Sequence, residues 1–190
     1  MTTAADLTAL HERLTHRAAE EGLLDVAYRT LDSPVGTLLV AATERGVVRV
    51  AFDVENHDTV LQTLATRISP RVLRAPDRLD PVVRGLDAFF AGTSRVVDVD
   101  LDLRLAAGFR RDVLTHLQRI PYGETRSYAD VAAKTASPKA VRAVGSACAR
   151  NPLPLVIPCH RVVRSDGTPG RYAGGEAAKQ LLLELETQNY

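Results

Sequence analysis

The segment from Asn151 to Arg161, reading Asn-Pro-Leu-Pro-Leu-Val-Ile-Pro-Cys-His-Arg, constrains this chain more than any other. Three prolines within seven residues remove backbone donors and restrict φ, so the segment is expected to be rigid and non-helical. Leu155-Val156-Ile157 is apolar and expected to be buried, which sets Cys159 where a packed core stops. A rigid support of this kind suits a side chain whose position must be held. A lone cysteine ordinarily acts as a small hydrophobe. As a nucleophile its thiol, titrating near ~8.5, needs a cation, base or dipole beside it. His160 and Arg161 follow at once.

The 190 residues allow one large domain or two small ones sharing a core. A content of 45% hydrophobic and 25% charged residues is that of an ordinary globular protein. No apolar stretch approaches the roughly 20 residues needed to span a bilayer, and Met1-Thr2-Thr3 begins no secretory signal, so a cytoplasmic protein without membrane contact is expected. Cys148 and Cys159 make no disulfide framework, and no Cys/His cluster has metal-ligand spacing; neither metal nor cofactor is expected. The net charge of +1 does not by itself suggest a nucleic-acid partner. Residues 1–108, however, hold 12 Lys/Arg and 16 Asp/Glu, a net −4, whereas residues 109–190 hold 12 and 7, a net +5. An acidic half joined to a basic half points to phosphates facing only the second.

Thr3 to Gly22 reads as a helix, with Leu7, Leu10, Leu14 and Ala18 on its packing face. Residues 26–30, 37–42 and 47–52 read as three strands of an antiparallel meander. His57 to Ile68 returns to helical spacing, and a second helix is expected from Asp80 to Phe90, with Asp80 capping it before Pro81. Val96 to Leu103 alternates apolar residues against Asp98, Asp100 and Asp102, the pattern of a half-exposed strand with all three aspartates solvated rather than gathered around a metal.

Phe109 to Ile120 is amphipathic. Ser127 to Lys134 forms a short helix in which Ser127 caps and Asp130 completes a near capping box. A further helix is expected from Pro138, at its first position, to about Arg150, giving a helix-turn-helix pattern. Ala140, Ala143, Gly145, Ser146, Ala147 and Ala149 strip this helix of bulk, and Arg142 is the large exception. Small residues permit close packing on a partner helix or close approach to a DNA groove. Glu176 to Glu186 reads as a last helix with Ala178, Leu181, Leu182 and Leu185 inward.

Pro158-Cys159-His160-Arg161-Val162-Val163 resembles the active-site signature of the O6-alkylguanine-DNA alkyltransferases, or methylated-DNA–protein-cysteine methyltransferases. The likeness extends through Arg142-Ala143-Val144-Gly145, Asn151-Pro152, Tyr172-Ala173-Gly174-Gly175 and Glu186. It implies an α+β fold: an N-terminal small antiparallel sheet with helices, ribonuclease-H-like, and a C-terminal mostly helical domain with a winged helix-turn-helix. Boundaries are then expected at 1–24 for the appended helix, 25–104 for the α/β domain and 105–190 for the DNA-binding and alkyl-acceptor domain.

The resemblance also implies irreversible single-turnover transfer of an alkyl group from O6-alkylguanine in double-stranded DNA to Cys159. The base is flipped through the minor groove by a monomer needing no obligatory protein partner. In those terms His160 is the base, Glu186 fixes its ring, Asn151 holds the cysteine turn and Tyr172 protonates the departing guanine. Tyr128 crowds the phosphate and Arg142 fills the vacated stack, within a DNA-facing set that includes Ser127, Ala140, Ala143 and Gly145. Pro154, Val162, Ala173 and Gly174 line the base and alkyl pocket, with Gly174-Gly175 as a flexible pair. Family members often carry serine where Ala173 stands. The competing reading within the same scaffold is a non-catalytic alkyltransferase-like protein that binds lesions and recruits other factors; Cys159 argues against it. A helix-turn-helix regulator and a cysteine hydrolase are further alternatives, the latter requiring an oxyanion hole and repeated turnover.

Overall fold

The alternation of residues 38–52 leaves no polar face, and the reason is a sheet buried on both sides. In the computed structural model, which describes residues 4–188, β1 (Val26–Leu31), β2 (Leu38–Thr43) and β3 (Gly46–Phe52) form the expected antiparallel meander. A short strand the sequence reading missed, β4 (Val72–Arg74), adds in parallel beside β1, so the sheet is mixed with order β3-β2-β1-β4. Leu38, Val40, Val50 and Phe52 on one face pack with Leu86 and Phe89 and, across the chain's midpoint, with Leu114 and Ile157. Leu39, Ala41, Val48 and Ala51 on the other face receive Val60 and Leu64 of the next helix.

Helix α1 (Ala4–Glu20) stops before Gly22 as expected, while Thr3 lies outside the described residues. Its packing face is not the leucine row. Leu7, Leu10 and Leu14 are more than half exposed; His11 and Thr15 instead reach the Arg74 carbonyl, and Ala18 is buried against Leu24, Ala27 and Ala75. The edge strand β4 offers an open carbonyl, and a polar contact decides which side of the helix docks. Helix α2 (His57–Arg67) covers one sheet face, and α3 (Asp80–Phe90) lies on the other. Asp80 is the first residue of α3 rather than its cap, and its carboxylate pairs with Arg29 at 2.9 Å.

Residues 96–103 form no regular strand. They meet β3 only around Val47, whose amide donates to Asp100 and whose carbonyl accepts from Asp102. Further pairing is blocked because the Val50 amide already donates to the Pro152 carbonyl at 2.9 Å. Asp102 is therefore not solvated: it is buried, accepting from Thr43 and paired with Arg104 at 2.6 Å.

The second half holds α4 (Gly108–Leu117), β5 (Arg126–Ser127), α5 (Tyr128–Ala133), α6 (Val141–Ala149), β6 (Val162–Val163) and α7 (Gly175–Gln188). The α5 cap is the box read from sequence: Ser127 Oγ accepts from the Asp130 amide while Asp130 accepts from the Ser127 amide. Helix α6 begins three residues later than expected. Ser137 to Ala140 closes a turn through the Ala140 amide, so Pro138 precedes the helix and Ala140 is its N-cap. Strands β5 and β6 pair in parallel, tying the entrance of α5 to the segment after Cys159. Among the described residues no helix is long and apolar enough to cross a membrane.

Candidate active site

The proline-rich segment is held from inside by one amide side chain. Asn151, 1% exposed, donates from Nδ2 to the Ile157 carbonyl at 3.0 Å and to Cys159 Sγ at 3.1 Å, while its Oδ1 accepts from the Leu153 amide at 2.9 Å. Within this loop Leu155 adopts φ +72°, a left-handed conformation costly for a branched residue and sustained here by the bonds around it. A single 3-10 turn over Cys159–Arg161 then delivers the thiol and the imidazole together.

Cys159 is 2% exposed. Burial pushes its thiol up to about 11, against the Asn151 hydrogen bond and the charge of Lys179, which pull it down. The resting group is thus a neutral thiol that reacts only when its proton is removed. His160 is fully buried, with Nε2 2.8 Å from Glu186 Oε1. Burial lowers its pKa, with Glu186 opposing, so the ring is neutral near pH 7. Facing a carboxylate, Nε2 carries the proton, and Nδ1 is left as a buried lone pair without a protein partner. The ring can accept a proton at that atom.

Glu186 is the centre of this arrangement. It accepts from His160, from Arg161 through Nε and Nη2, and from the Gly123 amide. Burial raises its carboxyl, but the hydrogen bonds and charges of His160 and Arg161 outweigh that and bring it down to about 2. Arg161 also donates to the Ile120 carbonyl at 2.6 Å and lies over the Tyr122 ring. This structural use of Arg161, beyond proximity to the cysteine, was not legible from its position in the motif.

Tyr172 stands edge-on between two rings, 5.4 Å from Phe52 and 6.3 Å from His160. Its enclosed hydroxyl makes no hydrogen bond of ordinary geometry, and burial holds the phenol well above its usual value. Tyr128, half-buried, is pushed by burial to about 12. A Cβ on Gly170 would lie 2.2 Å from the Tyr128 hydroxyl, and one on Gly174 would lie 2.6 Å from the Phe52 ring. Gly174 therefore serves close approach to an N-terminal side chain rather than the flexibility expected of the Gly174-Gly175 pair. Pro154 and Val162 are buried, and Ala173 and Gly174 half-buried, around this loop.

On α6, Arg142 and Ala143 are exposed and Gly145 half-buried, with Ala140 at the cap. Arg142 makes no hydrogen bond or ion pair among the described residues, so it is free to reach outward. The Ser127 hydroxyl is engaged in its cap with Asp130.

Sequence reasoning missed Lys179. It is fully buried on α7, its Nζ donating to the Val162 carbonyl at 2.5 Å and its charge bearing on Cys159. The signal lay in the spacing of Lys179, Leu182 and Glu186 on one face, which counting only apolar positions overlooks. The two contacts of β3 with the cysteine loop, Val50 to Pro152 and Arg49 to the Asn151 carbonyl, were also missed. Among the described residues no group of three His, Cys, Asp or Glu side chains is placed to hold a metal. The arrangement presents a neutral thiol, a neutral imidazole with a free lone pair and an enclosed phenol, groups with the chemistry to attack, to accept a proton and to donate one.

Residues 26–104 match the ribonuclease-like domain of the 6-O-methylguanine DNA methyltransferases, and residues 108–188 match their DNA-binding domain. A methylated-DNA–protein-cysteine methyltransferase of Mycolicibacterium paratuberculosis is 38% identical over 86% of this chain and 94% of its own. The constitutive enzyme of that name from Bacillus subtilis is 37% identical over 86% of this chain and 96% of its own. A crystal structure of Mycobacterium tuberculosis OGT in complex with DNA superposes with a TM-score of 0.74 at 36% identity, covering 86% of this chain and 94% of that one. With both matched segments in order and this cysteine site between the sheet and α7, the chain belongs to the 6-O-methylguanine DNA methyltransferase family.

Proposed function

We propose that this protein repairs DNA by moving the alkyl group of O6-alkylguanine onto Cys159, once per molecule. The observation that carries the reading is the buried Cys159 thiol, hydrogen-bonded by Asn151 and followed by a His160 ring anchored on Glu186. The target base leaves the duplex at a cost of a few kcal/mol. Arg142, exposed near the start of α6, fills the gap it leaves, while Tyr128 crowds the phosphate. Ala140, Ala143 and Gly145 keep that face of α6 low enough to enter the minor groove; Ser127 holds the start of α5 in place.

His160 Nδ1 takes the thiol proton through a water. The sulfur forms its bond to the alkyl carbon as the bond from that carbon to the guanine oxygen breaks, and the electron pair stays on the base. Tyr172, a phenol at neutral pH, gives its proton to the base. The proton held by His160 then restores the phenol, so thiol and alkylguanine become thioether and guanine with nothing left over. Pro154, Val162, Ala173 and Gly174 shape the pocket, and Ala173 offers no side-chain hydrogen bond to the base oxygen. No cofactor enters the balance. The protein acts as a cytoplasmic monomer in two segments, 25–104 and 105–190, with residues 1–24 appended.

The test is the intact mass of the protein after incubation with duplex DNA carrying O6-methylguanine. The wild type should gain one methyl and stop, and Cys159→Ala should gain none. Binding without any mass gain in the wild type would move the protein to the lesion-sensing class.

A further inference from the structure

Where α2 meets the end of α6, beside the Asn151 turn that supports Cys159, the surface opens into a cleft of about 340 Å³. Four guanidinium groups line it, those of Arg49, Arg67, Arg110 and Arg150, against the single carboxylate of Glu55. That carboxylate is already taken by Arg49 and by the Phe52 amide. The other three arginines come from α2, α4 and the end of α6, and none has an acidic partner among the described residues. Arg110 donates from Nη2 to the Leu105 carbonyl, but its Nε is enclosed and without a partner. Arg150 is steadied by the Ser146 carbonyl and hydroxyl. Arg67 is exposed and makes no hydrogen bond or ion pair among the described residues.

Three separate elements thus bring like charges to one concavity and leave a buried N–H unsatisfied. Mutual repulsion shows at Arg110, whose pKa is lowered by burial and then by Arg150 and Arg67. Such a cluster is stabilised by an anion that several guanidiniums can grip at once, and a phosphate group has the charge and the oxygens for it. Arg142, Ser146 and Arg150 also recur every four residues on α6, so one stripe of this helix runs from the proposed DNA-facing end to the cleft.

We propose that this cleft is a phosphate-binding site, filled by a backbone phosphate of the bound duplex or by a free phosphate anion. The first source rests on the DNA-repair reading above; the second does not. Inorganic phosphate titrated against chloride at matched ionic strength, with the melting midpoint as readout, should raise the wild-type midpoint saturably. In Arg67→Ala, an exposed position without a hydrogen bond or ion pair among the described residues, half-saturation should weaken by about tenfold, the worth of one charge-assisted hydrogen bond. Arg110→Gln should do the same.

Duplex binding measured across salt concentrations distinguishes the sources. A log–log slope lower by about one in Arg67→Ala assigns a backbone phosphate. An unchanged slope together with weakened phosphate binding assigns the free anion. Phosphate acting no differently from chloride, with the slope also unchanged in Arg67→Ala, overturns the site while leaving the repair reading untouched. A wild type whose duplex binding ignored salt would count against DNA phosphate contacts altogether, and the free-phosphate titration would still decide the cleft.

Discussion

At the scale of single residues Glu186 does most, because one carboxylate fixes the His160 tautomer, pairs with the Arg161 charge and satisfies the Gly123 amide. Its folded-state value of about 2 lies below the ordinary 4.5, so it contributes stability above pH 4.5 that is lost as pH falls toward 2. The size is on the order of 3 kcal/mol, at about 1.4 kcal/mol per pH unit. His160, lowered in the folded state, works in the same direction: the unfolded chain takes up its proton first as pH falls through 6.5. Urea unfolding of the wild type should therefore show stability falling from pH 7 to pH 3. Glu186→Gln should be less stable at pH 7 by about 3–5 kcal/mol, since it strands a buried arginine, and should lose less below pH 4.5. Parallel curves for the two proteins would refute the assignment. Cys159, His160 and Asn151 were legible because prolines and a motif mark them. The burial of Lys179 and Glu186 was not, since nothing in a polar residue's identity says that a carbonyl or an arginine waits for it inside.

Among the elements, the loop carrying Tyr172 to Gly174 is positioned from outside itself. Phe52 at the end of β3 touches both Tyr172 and the space above Gly174. Phe52 is 2% exposed and cannot swing aside, so Gly174→Ala should destabilise the protein by about 1–3 kcal/mol through overpacking. In a Phe52→Leu background the same change should cost less, and a double-mutant cycle from urea unfolding measures the difference. Strict additivity would mean that the two residues do not press on each other. The capping box of α5 was readable because both its partners lie within four residues of each other. The late start of α6 and the irregular course of residues 96–103 were not: a proline turn can precede a helix as well as begin it, and strand pairing was forestalled by Pro152, far away in sequence. The leucine row of α1 misled for a related reason, because a free carbonyl on β4 outweighed apolar spacing.

At the scale of the whole molecule, the core is continuous across the chain's midpoint, uniting Leu38, Val40 and Phe52 with Val113, Leu114 and Ile157. The acidic and basic halves could be counted from the sequence; their fusion through one core could not, because it rests on contacts such as Arg49 to Asn151, 102 residues apart. A change at Cys159 is consequently felt by the entire fold. Methylated protein should unfold in one transition with a lower midpoint than free protein, because the new methyl enters a packed site. At about 2–4 °C per kcal/mol and 1–3 kcal/mol of overpacking, a drop of a few degrees is expected in calorimetry. An unchanged midpoint would show that the site has room to spare.

The order of synthesis adds a consequence of its own. His160 is polymerised 26 residues before the carboxylate that anchors it. At about 5–20 residues per second, the growing chain carries Cys159 and His160 for roughly one to five seconds before Glu186 exists. During that interval the ring has no anchor, so under the proposed mechanism such a chain lacks a positioned base. Under the proposed mechanism, an alkyl acceptor is a chain synthesised past Glu186 and folded, not merely one synthesised past Cys159.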